Sequence, residues 1–276
     1  MNRINFKFQT LRKQGKKAFI AFLTAGDPSL KTTEELALAF ENSGVDIVEI
    51  GVPFSDPLAD GPTIQASYQR ALKNKVALVK VLETVKKIRR STGIPIALMS
   101  SYNPIFHFGE EKFVACAREA GADGVIIPDL PPEEAHKLIK AARRMDFSTV
   151  FFISPTTTPN RAQKIIAAST GFIYYVSVTG VTGSRKDISQ DLKKNILAAK
   201  RLTSKPICAG FGISTPQQVR EVSAIADGVI VGSAIVQAIA KNSGKKDLVK
   251  NVAGFVKRLS AGINCRDEAM PRLYAV

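Results

Sequence analysis

Two carboxylates, Glu49 and Asp60, stand where proton chemistry is possible. Glu49 belongs to the run Asp46-Ile47-Val48-Glu49-Ile50, whose β-branched residues and length predict a strand. Alternation sets Glu49 on the opposite face from Val48 and Ile50. Both faces of a strand in a closed α/β sheet are apolar, so an ionised Glu there is costly unless it is used or paired. Facing inward near the carboxyl end of its strand, it would hold its proton to near neutrality and exchange it with a substrate. The plainer reading is a carboxylate paired with a nearby lysine or hydroxyl for structure. The next loop, Gly51-Val52-Pro53-Phe54-Ser55-Asp56-Pro57-Leu58-Ala59-Asp60-Gly61-Pro62, carries two more acids. Asp before Pro or Gly is a turn former, and on that basis Asp56 reads as one. Asp60 stays open between turn and chemistry, although its loop must pass over the mouth of a barrel.

A second set of residues suits a phosphate. Gly210-Phe211-Gly212-Ile213 follows one strand-like run, and Gly232-Ser233 follows the next and leads into the apolar segment 234–240. Glycines let backbone N–H groups approach an oxyanion, and a helix N-terminus adds favourable potential. Any one of these residues alone reads as a turn glycine or a helix cap. The combination in two consecutive loops favours phosphate. Gly180 and Gly183, in the long loop 179–190, are placed to close over the same anion as a lid.

Other chemistries fall away. Of the two histidines, His136 sits on a helical pattern and His107 has no ligand cluster around it, which argues against a histidine-bound metal. No lysine ends a strand-like run, which argues against a Schiff base. Cys116, Cys208 and Cys265 form neither a disulfide framework nor a metal pattern and read as bland thiols. The net charge of +15 is spread over helical segments such as Lys86, Lys87, Arg89 and Arg90, or Lys245, Lys246 and Lys250. No nucleic-acid motif accompanies it and Trp is absent, so a solvated basic exterior is expected, with no nucleic-acid partner. An anionic substrate would still gain from the field.

The elements that must position these residues alternate strictly. Strand-like runs at 19–23, 46–50, 95–99, 124–128, 149–153, 172–177, 206–210 and 227–231 are each followed by helical patterns. The helical patterns fall at 33–43, 76–91, 110–120, 133–145, 160–168, 192–202, 216–223 and 248–260. About eight β-then-α units in 276 residues predict a single-domain α/β protein, a (β/α)8 TIM barrel, over an open doubly wound sheet. No G-x-G-x-x-G follows the first strand. The expected domain spans 1–276, with an N-terminal helical segment at 1–17, inserted helical segments after strands two and eight, and a tail at 261–276. In the opening segment Phe6, Phe8 and Leu11 are able to turn inward. Ser214-Thr215-Pro216, Thr158-Pro159 and Asp129-Leu130-Pro131-Pro132 are each expected to open a helix. No apolar run is long enough to span a membrane and no signal core precedes the basic start, so a cytoplasmic protein is expected.

Several runs together carry a family resemblance. These are Phe22-Leu23-Thr24-Ala25-Gly26-Asp27-Pro28, the stretch from Val48 through Glu49 and Asp60 to Gln65, Tyr102-Asn103-Pro104, Pro128-Asp129-Leu130-Pro131, Gly180-Val181-Thr182-Gly183 and Gly210-Phe211-Gly212-Ile213. The chain closely resembles the tryptophan synthase alpha subunits nearly end to end. The resemblance implies a lyase that cleaves indole-3-glycerol phosphate to indole and glyceraldehyde 3-phosphate by a retro-aldol step, with no cofactor in this chain. It implies Glu49 as general acid/base and Asp60 as the carboxylate on the indole N–H. It implies Gly183, Gly212, Gly232 and Ser233 at the phosphate, Tyr174 in the active site, Phe22 and Phe211 as walls of the indole pocket, and Thr182 meeting Asp60 when the lid closes. It also implies a pyridoxal-phosphate beta subunit as partner in an alpha2-beta2 tetramer, contacted through Asp56, Tyr102, Asn103, Pro104, Asp129, Pro131 and Pro132. The sixth-strand loop lacks an arginine that some members carry just before it, and Arg185 and Lys186 follow instead. A stand-alone lyase, or a catalytically weak subunit that activates a partner, are the competing readings.

Overall fold

The computed structural model describes residues 1–176, 190–210 and 212–264. Eight parallel strands pair in chain order and close into a barrel: β1 (Ala18–Thr24), β2 (Ile47–Gly51), β3 (Ile96–Met99), β4 (Gly124–Ile126), β5 (Ser148–Ile153), β6 (Ile173–Val176), β7 (Ile207–Gly210) and β8 (Gly228–Val231). Around it run α2 (Leu30–Glu41), α4 (Leu78–Arg89), α6 (Glu110–Ala120), α7 (His136–Arg144), α8 (Pro159–Ala168), α9 (Gln190–Arg201), α10 (Pro216–Ser223) and α12 (Leu248–Asn264). Four further helices are additions to the plain repeat: α1 (Arg3–Lys13), α3 (Pro62–Lys73), α5 (Tyr102–Phe108) and α11 (Ser233–Asn242). The chain is thus a single-domain (β/α)8 TIM barrel, as the strict alternation predicts, with the insertions after β2 and β8 in place.

Period-two alternation divides the core. Val48 and Ile50 point outward into the layer between barrel and helices, with Phe19, Leu23, Leu36 and Phe40. Ile20, Ile47, Ala97, Ile126, Val150, Phe172 and Ile230 fill the barrel interior. The bottom of that interior is closed by α1, which buries Ile4, Phe8 and Leu11 at a spacing of one helical face. Burying each of these side chains contributes on the order of 1.5–3 kcal/mol. Phe6 departs from expectation. It is 59% exposed, because a step of two residues from Ile4 carries it round to the far side of the helix.

Two of the three expected helix openings hold. Thr158 caps α8, and Thr215 forms a capping box with Gln218 at α10. Asp129-Leu130-Pro131-Pro132 does not open a helix; α7 starts at His136 without a side-chain cap. Asp129 instead accepts the Tyr102 backbone N–H at 2.9 Å and so caps α5 from the neighbouring loop. The α5 helix escaped the sequence reading because Pro104 looks like a breaker, yet it sits in the first turn, where no N–H is needed.

Candidate active site

Glu49 is the third residue of β2 and pairs in register with Phe22 of β1 and Ala97 of β3. It points into the barrel and has no exposed surface, and among the described residues neither carboxylate oxygen has a hydrogen-bond partner. Pairing with a lysine or hydroxyl, the structural alternative for this residue, is not found among the described residues. Burial first, and the nearby Asp60 second, raise its pKa from 4.5 to about 8. A buried acid left without donors keeps its proton at neutral pH.

Asp60 lies in the loop between β2 and α3, and that loop is held by the helix it leads into, which is itself tied to β1 and the loop after it. Gln65 donates its side-chain amide to the Asp60 carbonyl at 2.8 Å. The Arg70 guanidinium bonds both oxygens of the buried Asp27 at 2.8 and 2.7 Å, tying α3 to the loop after β1. Asn74 donates to the Pro28 carbonyl at 2.7 Å, and the Thr24 and Ser67 hydroxyls meet at 2.6 Å. Burial, with Asp129 as a second cause, raises the Asp60 pKa to about 6. The two acids thus straddle neutrality, Glu49 protonated and Asp60 ionised.

One cavity at the mouth brings the two acids together with most of the other predicted residues. Its lining includes Phe22, Glu49, Asp60, Tyr174, Gly212, Gly232 and Ser233. Phe22 packs there with Ile64, Tyr68 and Val236 in a small cluster of its own at the barrel mouth. Tyr174 lies beneath Gly210, whose absent side chain makes the space: a Cβ there would sit 2.9 Å from the phenol oxygen. Gly212 has φ +54°, a conformation that favours glycine. Among the described residues no side chain caps α11, which leaves the first-turn N–H groups at Gly232-Ser233 available to an anion. Thr182, Gly183 and Phe211 lie outside the described residues, as do Gly180, Arg185, Lys186 and Cys265.

Sequence reasoning missed several members. Ile64, Met99, Ile213 and Ile230 line the same cavity and supply its apolar wall. Gly51 was passed over, although it follows Glu49 on the inward face, where a side chain is expected. A Cβ there would lie 2.6 Å from Phe22 Cζ and 3.1 Å from the Tyr68 hydroxyl, so the gap seats the Phe22 ring. The residues expected to meet a partner also gather at this end of the barrel. Asp56, Asn103 and Asp129 are exposed, and Tyr102, Pro104, Pro131 and Pro132 are partly so. Between them stand two side chains not singled out from sequence, Leu58 at 93% and Phe106 at 62% exposure. Among the described residues no cluster of three or more His, Cys, Asp or Glu side chains could hold a metal, and no helix is long and apolar enough to cross a membrane.

Known proteins share this fold and much of this sequence. The family model described as tryptophan synthase alpha chain matches residues 8–264. The tryptophan synthase alpha chain of Geotalea daltonii is 48% identical over 263 residues, covering 95% of this chain and 99% of its own. Among solved structures, the tryptophan synthase subunit alpha of Legionella pneumophila superposes with a TM-score of 0.90 at 36% identity, covering 96% of this chain and 99% of that one. A tryptophan synthase structure from Mycobacterium tuberculosis gives a TM-score of 0.86 at 31% identity, with coverage of 95% and 99%. With a family match over nearly the whole chain, the chain belongs to the tryptophan synthase alpha chain family, the lyases that cleave indole-3-glycerol phosphate in tryptophan biosynthesis.

Proposed function

We propose that Glu49 moves the protons of this cleavage and that Asp60 is the fixed anion that stabilises the charged ring. The observation that carries the assignment is the fully buried Glu49 carboxyl, without a hydrogen-bond partner among the described residues, facing the cavity that Asp60 also lines. Protonated Glu49 gives its proton to the indole ring carbon that bears the glycerol chain. The ring nitrogen becomes positive, and ionised Asp60 accepts its N–H and stabilises that charge. Glu49, now a carboxylate, takes the proton from the hydroxyl on the carbon next to the ring. As the aldehyde C=O forms, the carbon–carbon bond breaks and its electron pair returns to the ring. Indole and glyceraldehyde 3-phosphate leave, and Glu49 is protonated again. The split between a raised acid and an ionised neighbour is what permits both roles at one pH.

Gly212, Gly232 and Ser233 hold the phosphate at the N-terminus of α11, with Gly183 completing the site and Thr182 meeting Asp60 on closure. Phe22 and Phe211 wall the indole, and Tyr174 closes the cavity from β6. The chain needs no cofactor of its own. It works in the cytoplasm with a pyridoxal-phosphate beta subunit in an alpha2-beta2 tetramer. Asp56, Tyr102–Pro104 and Asp129–Pro132 form the contact, with Leu58 and Phe106 as exposed apolar anchors at the same mouth. The test is indole release from indole-3-glycerol phosphate by the purified chain, alone and with a tryptophan synthase beta subunit. Weak release that rises sharply with the partner supports the assignment. Fast release by the chain alone supports a stand-alone lyase. A folded chain that binds the partner without turnover overturns the catalytic roles.

A further inference from the structure

The cleavage as proposed leaves a buried proton donor at the mouth unused. Tyr68, on α3, is 1% exposed and is the polar member of the cluster it forms with Phe22, Ile64 and Val236. A buried phenol ordinarily finds an acceptor for its O–H, because leaving the bond unmade is costly. Among the described residues the Tyr68 hydroxyl makes no hydrogen bond. The Glu49 carboxyl, just as buried, has no donor.

Two features of the backbone set the phenol beside that carboxyl. Gly51 is two residues on from Glu49 in β2, so both belong to the inward face of the strand. A Cβ at Gly51 would lie 3.1 Å from the Tyr68 hydroxyl. The hydroxyl therefore occupies the side-chain place next above Glu49, about 6.6 Å along the strand from it. A glutamate side chain turned toward the mouth covers much of that distance, and Glu49 does line the mouth cavity. The second feature is the helix. Tyr68 is one turn beyond Ile64 on one stripe of α3, and helix side chains lean toward the N-terminus. The ring thus leans back over Ile64, a residue of the cavity wall, toward the Asp60 loop. The electrostatics agree with this placement: after burial itself, the charges of Asp60 and then Glu49 raise the pKa of the phenol.

The other titratable groups that face Glu49 are Asp60 from the β2–α3 loop, Tyr174 from β6 and Cys208 from β7. Ionised Asp60 has no proton to donate, and a thiol is a weak donor. Tyr174 is seated beneath Gly210, on the β6–β7 wall.

We propose that Tyr68 is a positioning residue for the cleavage: once Glu49 has given its proton to the ring, the Tyr68 O–H donates to the new carboxylate and holds it toward the glycerol hydroxyl whose proton it takes next. This inference rests on the assignment of Glu49 as the acid/base. The phenol keeps its proton throughout, since burial and two neighbouring acids oppose its release. The hydrogen bond is made only when Glu49 ionises, so it strengthens along the reaction and should appear in kcat rather than in KM.

The test is Tyr68→Phe in the full chain, which removes the hydroxyl and keeps the ring. The Glu49 carboxyl is followed by NMR in the substrate-free protein with carboxyl-labelled Glu, its resonance assigned as the one missing from Glu49→Gln. A donor to the charged form lowers a carboxyl pKa, so its loss should move the midpoint up from near pH 8 by about one pH unit. Indole release should show kcat lower by at least about tenfold with KM unchanged, and the melting temperature at neutral pH should not fall. An unmoved midpoint overturns the proposal, because a merely structural tyrosine leaves that titration alone. A moved midpoint with an unchanged kcat overturns it too, since the bond would then serve no step of the reaction. Failure of the underlying assignment shows separately, as turnover kept by Glu49→Gln, and would take the proposal with it.

Discussion

Replacing Glu49 by Gln should stabilise the fold above neutral pH while it removes activity. The folded protein holds the Glu49 proton until about pH 8, whereas an unfolded carboxyl releases it near 4.5. Below 4.5 both states are protonated and Glu49 contributes no pH dependence. Between those values the folded state binds the extra proton, so stability falls as pH rises, and above 8 the full penalty is present. At 1.36 kcal/mol per tenfold step, the interval from 4.5 to about 8 amounts to about 5 kcal/mol, an upper figure that structural relaxation reduces. A Gln amide is as unpartnered as the protonated acid but never ionises. Urea denaturation of both proteins at pH 5 and pH 8.5 reads the difference. The expected gain for the variant is about 1 kcal/mol or less at pH 5 and several kcal/mol at pH 8.5. An equal difference at both values, or a variant less stable at pH 8.5, would refute the claim that Glu49 is a desolvated acid held for chemistry.

Asp129→Asn keeps the oxygen that caps α5 but removes a charge that raises the Asp60 pKa. The acid limb of kcat/KM in the isolated chain should move to lower pH, with the basic limb unmoved. Gly51→Ala places a methyl 2.6 Å from Phe22 Cζ and must push that ring into the cavity. It should cost about 1–3 kcal/mol in denaturation and lower kcat/KM in steady-state assays. Arg70→Ala leaves Asp27 buried without its bidentate partner and frees α3. A loss of about 2–3 kcal/mol in urea melts is expected, with kcat falling because the Asp60 loop loses its support.

The barrel was legible because its signals are local and repeated. Each strand is a short β-branched run, each connection is long enough for a helix, and eight such units leave few topologies. Glu49 was legible for a related reason: a charged residue on the inward face of a strand breaks a pattern that burial otherwise enforces. Asp60 was not, since Asp before Gly has an ordinary turn reading, and only the resemblance separated the two until folding placed it beside Glu49. Gly51 and Asp129 escaped because their roles are set across the chain. The gap at Gly51 has meaning only through Phe22 and Tyr68, and Asp129 acts on Tyr102 in another loop.

The central claim, that an acid and an anion work side by side, is tested most directly by the pH dependence of indole release. The kcat/KM for indole-3-glycerol phosphate should rise as Asp60 ionises near pH 6 and fall as Glu49 loses its proton near pH 8. Glu49→Gln should lose turnover by at least about a hundredfold at every pH. A flat profile in the parent protein, or a Glu49→Gln variant that keeps most of its activity, would contradict the account.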